Sequence, residues 1–162
     1  KEMLYELTGT DLAEIFGITE TNAIEIISEV GLDMSKWPTV KHFTSWLNLA
    51  PNNKISGGKV LSSRIPKKKN HAGQIFRMAA FAIQRSKNWL AMFYNRIKAK
   101  NGAPKAIVAT ARKIAAIFYK MIKERVKFNP IPIEKYMDGF KENQIKKLKR
   151  QAKNLGLQIV EM

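Results

Sequence analysis

The chain has 162 residues, 45% of them hydrophobic, none a cysteine and only two histidines, His42 and His71. This suits one domain, or one domain with an appendage, with enough apolar content for a core; it excludes a disulfide scaffold, a thiolate metal site and a histidine-rich metal centre. Against 13 acidic residues stand 29 basic ones, for a net charge of +16, which predicts a polyanionic partner, nucleic acid ahead of an anionic membrane surface.

The charge is unevenly placed. Residues 1–34 carry one basic and eight acidic residues, residues 35–133 carry 21 basic residues and the single acid Glu124, and residues 134–162 carry seven basic and four acidic. A basic run is commonly a solvated face, but about a hundred residues with one acid repel one another unless an anion relieves them. No apolar run approaches the roughly 18 residues of a membrane-spanning helix. The start, Lys1-Glu2-Met3, does not read as a signal peptide, and a first residue other than methionine is expected of a fragment of a longer protein.

In chain order, Thr10-Asp11 opens a short helix with Leu12, Ile15 and Phe16 as its apolar stripe and Gly17 as its stop. A second helix is predicted over about Glu20 to Val30, with Ala23, Ile24, Ile27 and Val30 on one face and Gly31 ending it. Trp37-Pro38-Thr39 opens a third, with Val40, Phe43, Trp46 and Leu47 at helical spacing and Pro51 closing the segment. Residues 51–70, with Pro-Asn-Asn, Gly-Gly, Ser-Ser, Pro66 and six basic residues, read as a long basic loop. Residues 71–100 read as one long helix or two abutting ones, broken near Ser86-Lys87-Asn88, with Ile75, Met78, Ala79, Ala82, Leu90, Phe93 and Ile97 inward. Asn101-Gly102 ends it, and Pro104 suits the first turn of the next helix.

That helix, over 105–125, has Ile107, Val108, Ala111, Ile114, Ala115, Phe118, Met121 and Ile122 as its core stripe. Lys105, Arg112, Lys120, Lys123 and Lys127 fall within about 80° of one another at 100° per residue, a basic stripe. After Asn129-Pro130-Ile131-Pro132 a last helix is expected over about 139–155, its tail from Gly156 to Val160 being a short extended piece. Taken together the class is all-α. The parts are an acidic helix-hairpin-helix-like section over 1–34, the basic loop over 51–70, long helices over 71–127 and a C-terminal helix and tail over 133–162.

Three stretches bear on chemistry. Asp11–Gly31 has the outline of a helix-hairpin-helix, whose turn amides meet phosphate, but Thr19 stands where a second glycine is usual and Glu14, Glu20 and Glu25 surround the turn. A scaffold role is the better reading. Lys54-Ile55-Ser56-Gly57-Gly58-Lys59 pairs a serine with exposable glycine amides and flanking lysines; it is no P-loop, the glycine spacing being wrong. A serine nucleophile needs an activating base or metal, and none is identifiable nearby; His71 reads as a helix N-terminal residue. Trp37, Trp46, Trp89 and Phe93-Tyr94 sit at core spacing, so packing is preferred over base stacking.

The motifs Leu49-Ala50-Pro51, Ser56-Gly57-Gly58-Lys59, Ile65-Pro66-Lys67, Asn70 and Arg77-Met78-Ala79-Ala80 resemble the C-terminal domain of insertion-sequence transposases of the 110/116/902 class. The similarity continues through Phe93-Tyr94, Gly102 to Ala106, Ala109 to Ala115 and Leu148 to Gly156. The resemblance implies a serine nucleophile, matching Ser56, that joins covalently to a DNA phosphodiester. It also implies a separate N-terminal ribonuclease-H-like domain, absent from this chain, that holds Mg²⁺ on acidic residues. No cofactor or metal ligand is expected in this chain, which alone is expected to be inactive. DNA, a guide RNA and further copies of the protein are the implied partners, in a prokaryotic cytoplasm at the nucleoid, with no membrane. DNA contacts are expected from Lys54, Lys59, Arg64, Lys67, Lys68, Lys69, Arg77, Lys105, Arg112, Lys120 and Lys123. The rival expectation is a non-catalytic basic helical module that binds nucleic acid.

Overall fold

The computed structural model describes residues 2–65 and 70–160. Among these the fold is all-α apart from one small hairpin: α1 (Glu2–Thr8), α2 (Glu20–Val30), α3 (Val40–Trp46), β1 (Lys54–Ser56), β2 (Lys59–Ser62), α4 (His71–Ala82), α5 (Trp89–Asn101), α6 (Ala103–Glu124) and α7 (Ile133–Asn154). The chain forms two compact units, residues 1–129 and 130–162.

Local chemistry explains most boundaries. The side chains of Thr19, Asn70 and Asn88 accept from the backbone N–H groups of Asn22, Gly73 and Ala91 and so cap α2, α4 and α5. Gly31 and Gly102 close α2 and α5 at φ 80° and 85°, and proline in the first turn starts α6. The break near Ser86 is real: α4 tightens into a 3₁₀ turn over Ile83–Arg85 before Asn88 restarts the helix.

In the first unit α6 is the central helix, packing against α3, α4 and α5. It buries Ala106, Ala111, Ile114, Ala115, Phe118, Met121 and Ile122; small residues let its neighbours approach while Phe118 meets Phe76 of α4 edge-on, ring centres 5.4 Å apart. Tyr119 donates to the Trp37 carbonyl at 2.7 Å and its ring lies 5.4 Å from Phe43, fixing α3 to the far end of α6. Thr10 donates to the Val126 carbonyl at 3.0 Å, and Phe16 meets Phe128 edge-on at 5.1 Å, tying the N-terminal segment to the stretch after α6.

Several expectations need correction. The helix expected at Thr10-Asp11 is only a 3₁₀ turn over Leu12–Glu14, because Gly17 follows too soon and Ile15 turns extended to reach the core. On α2 it is Ile26, with Ala23 and Val30, that is buried, and Ile24 is 56% exposed; three isoleucines point three ways, and the neighbour α4 selects. Likewise Phe76 is buried in α4 while Met78 and Ala82 are exposed. The loop over 51–70 contains the β1–β2 hairpin. The α6 helix stops at Glu124, with Arg125 left-handed at φ 50°, so Lys127 lies beyond the helix. The last helix starts at Ile133 rather than near 139, directly after Pro132 and through Gly139, and Gly156–Val160 forms no strand.

Candidate nucleic-acid interface

The hairpin is built by its turn. Ser56 pairs with Lys59 and Ile55 with Val60, so Gly57-Gly58 is a two-residue loop. Both glycines have positive φ, 54° and 74°, the requirement of the mirror-image turn whose twist matches antiparallel strands. Asn52 N–H donates to the Arg64 carbonyl at 3.1 Å and closes the base. Ser56 therefore stands at the tip, exposed, beside Lys59; Lys54 and Arg64 are exposed lower down. Ile55, Val60 and Leu61 are 64%, 58% and 70% exposed, so the hairpin's apolar side chains stand largely in solvent.

At its foot lies a cleft of 620 Å³. Lys105, Val108, Ala109, Arg112, Lys113 and Ala116 of α6 form one side, Phe93 of α5 another, and Leu49, Pro51, Ser63 and Ile65 of the two hairpin legs the third. Among the described residues three cations and no carboxylate line it. Lys113 lays its ammonium 4.8 Å from the Phe93 ring centre and 5.8 Å from that of Trp89, and Arg96 lies over the same Phe93 at 5.3 Å. Burial of the ammonium, and then the charges of Arg96 and Arg112, push the Lys113 pKa down. Such crowding of like charge is tolerable where an anion arrives.

The remaining expected contacts divide. Lys105 and Arg112 fall in the cleft. Lys120 is exposed and pairs with Glu124 at 3.8 Å, and Lys123 donates to Tyr119 Oη at 2.8 Å and to the Pro38 carbonyl at 3.2 Å. Arg77 is half-buried on α4 and donates to the Asn48 carbonyl at 2.8 Å; burial lowers its pKa. That bond holds a left-handed residue, Asn48 at φ 55°, just before the leg that lines the cleft. Lys67, Lys68 and Lys69 lie outside the described residues. Lys113, Arg96 and Phe93 escaped sequence reasoning as a cluster, although Lys113 stands 80° from Lys105 on an ideal helix, the edge of the same stripe.

Two helix starts are already occupied. Glu29 accepts from Ala72 N–H at 2.5 Å and Glu25 lies 4.0 Å from His71, so carboxylates of the acidic segment sit at the positive end of α4. At the hairpin before α2, Gly17 is pressed on α4: a Cβ there would lie 2.6 Å from the Ala79 carbonyl oxygen. This turn packs against α4.

Among the described residues no group of three or more His, Asp or Glu side chains could hold a metal ion, and no helix is long and apolar enough to cross a membrane. The described residues thus form a helical body with three cations, Lys105, Arg112 and Lys113, in a cleft at the foot of an exposed basic hairpin. The chain belongs to the transposase IS116/IS110/IS902 family, whose profile matches residues 9–95, from the acidic segment through the hairpin to α5. The family implies DNA as its partner. No curated protein matches the chain.

Proposed function

We propose that this chain is the serine-bearing, DNA-binding domain of an RNA-guided insertion-sequence transposase, with Ser56 as the nucleophile. The observation that carries the reading is the placement of Ser56: exposed, at the tip of the hairpin, between Lys54 and Lys59. In the reaction the Ser56 Oγ–P bond forms as the P–O bond to one sugar oxygen breaks; the serine proton leaves and the departing oxygen takes one up as a free hydroxyl. Attack of a new hydroxyl on the phosphoserine reverses the step, so strands rejoin with no external energy. The lysines hold the phosphate and offset its charge. In this reading Mg²⁺ would be held by carboxylates of the separate ribonuclease-H-like domain that the family resemblance implies. Guide RNA and further copies of the protein complete the assembly in the prokaryotic cytoplasm, at the nucleoid.

The test is Ser56→Ala in the full-length protein with guide RNA, target DNA and Mg²⁺. The exposed hydroxyl leaves no cavity and carries no charge, so fold and DNA affinity should stay within about 0.5 kcal/mol of wild type, while the covalent protein–DNA adduct disappears. An adduct that persists in the alanine variant moves the nucleophile elsewhere and leaves a basic module without chemistry at this loop.

A further inference from the structure

We infer that the cleft at the foot of the hairpin takes one unpaired nucleotide of a nucleic-acid strand, its phosphate on Lys105, Arg112 and Lys113 and its base against Phe93 and Val108. The inference deepens the proposed function and rests on it for the kind of polymer.

The cleft joins two chemistries that a paired duplex does not use together. Its cations come from one helix, α6, while Phe93, Val108, Leu49 and Ile65 make the remainder largely apolar. A duplex presents phosphates outside and keeps its bases stacked inside; it would satisfy the cations and leave the apolar wall empty. An unstacked nucleotide satisfies both, as single-strand binders do by pairing a basic groove with apolar or aromatic faces. The volume, 620 Å³, lies within the range of about 300–1,000 Å³ in which small ligands are enclosed.

Position and charge agree with this. Lys113 is held against Phe93 and Trp89, and among the described residues no carboxylate lines the cleft, so the site is set to receive an anion. Both hairpin legs line the cleft, through Pro51 and Ser63, so a strand lying in it passes at the root of the element that carries Ser56. A strand opened at the point of cleavage is the substrate such a layout suits.

The test uses the whole chain and three fluorescent probes: a short oligothymidylate, an oligouridylate of equal length and a duplex. Ala109→Trp fills the cleft without changing charge; Lys113→Met removes the half-buried charge and keeps the aliphatic stem. Lys87→Met, on the exposed turn before α5, controls for the general field. Both cleft variants should weaken strand binding about tenfold or more, with the duplex reduced less than twofold and Lys87→Met nearly silent. Should Ala109→Trp fail to fold, Lys113→Met still decides, since it relieves repulsion. Equal loss on both strands assigns the cleft to any unpaired nucleotide; loss on one strand alone assigns it to DNA or to RNA. Unchanged strand binding, or equal loss on strand and duplex, overturns the inference while leaving DNA binding intact. If the wild-type chain binds none of the probes, the wider DNA-processing reading falls with it.

Discussion

The turn that carries Ser56 can be loosened without touching the core. Replacing Gly57 and Gly58 by alanine puts two Cβ atoms at φ 54° and 74°, where nothing stands within 4 Å, so the whole penalty is conformational. An L-residue in the left-handed region costs roughly 1 kcal/mol, so the pair removes about 2 kcal/mol from hairpin closure. Isolated two-stranded hairpins are marginal in water, and this one keeps Ile55, Val60 and Leu61 exposed. A loss of about 2 kcal/mol lowers the closure equilibrium constant roughly thirtyfold; for a hairpin that is marginal to begin with, the closed population, and with it adduct formation by the full-length protein, should fall by roughly tenfold or more. Global stability should hold within about 0.5 kcal/mol, because the hairpin opens as a local unit. Hydrogen exchange over residues 54–62 reads the opening directly, and thermal melting reads the body. Gly57→Asn supplies the control, since asparagine tolerates the left-handed region and Asn-Gly is favoured in this turn; it should stay near wild type. If the double alanine variant forms adduct at full rate, or the asparagine variant drops as far, a formed turn is not what presents Ser56.

Three further outcomes follow from the body of the protein. Arg77→Met should cost about 1.5–3 kcal/mol in urea unfolding, the value of a charged hydrogen bond to a buried segment, because the Asn48 carbonyl loses the guanidinium; a loss below about 0.5 kcal/mol with a large drop in DNA affinity would instead make Arg77 a DNA contact. Gly17→Ala should destabilise by more than about 2 kcal/mol, its Cβ meeting the Ala79 oxygen at 2.6 Å and Ile83 Cγ2 at 2.8 Å, and calorimetry checks it. Lys113→Met should raise the melting temperature of the free chain by on the order of 2 °C at neutral pH. Burial holds the folded-state pKa of Lys113 below its unfolded value, so its penalty is full below the folded pKa and fades as pH rises toward the unfolded one; the advantage of the methionine variant should shrink over that window.

The helices of the body were legible in the sequence because their signals are local. Gly31, Asn88 and the Gly102-Ala103-Pro104 step act within a turn or two of where they stand, and α2, α5 and α6 begin or end beside them. The partition of charge and the serine with its two glycines were equally readable, as was the family. What remained hidden depends on neighbours distant in sequence. Ile24, Ile26 and Ile27 are interchangeable by composition, and only the approach of α4 buries Ile26. The hairpin has short strands with exposed side chains, so no alternation marks it, and Gly-Gly reads as a loop until register makes it a two-residue turn. Arg77 looks like any basic residue of a basic segment; packing gives it the Asn48 carbonyl. The cleft exists only because α5, α6 and the two hairpin legs, some sixty residues apart in the chain, meet around Lys113. Sequence determined the charge and the helices, since both are sums of local choices; tertiary structure decided which cations stand together, since proximity in space is not a local property.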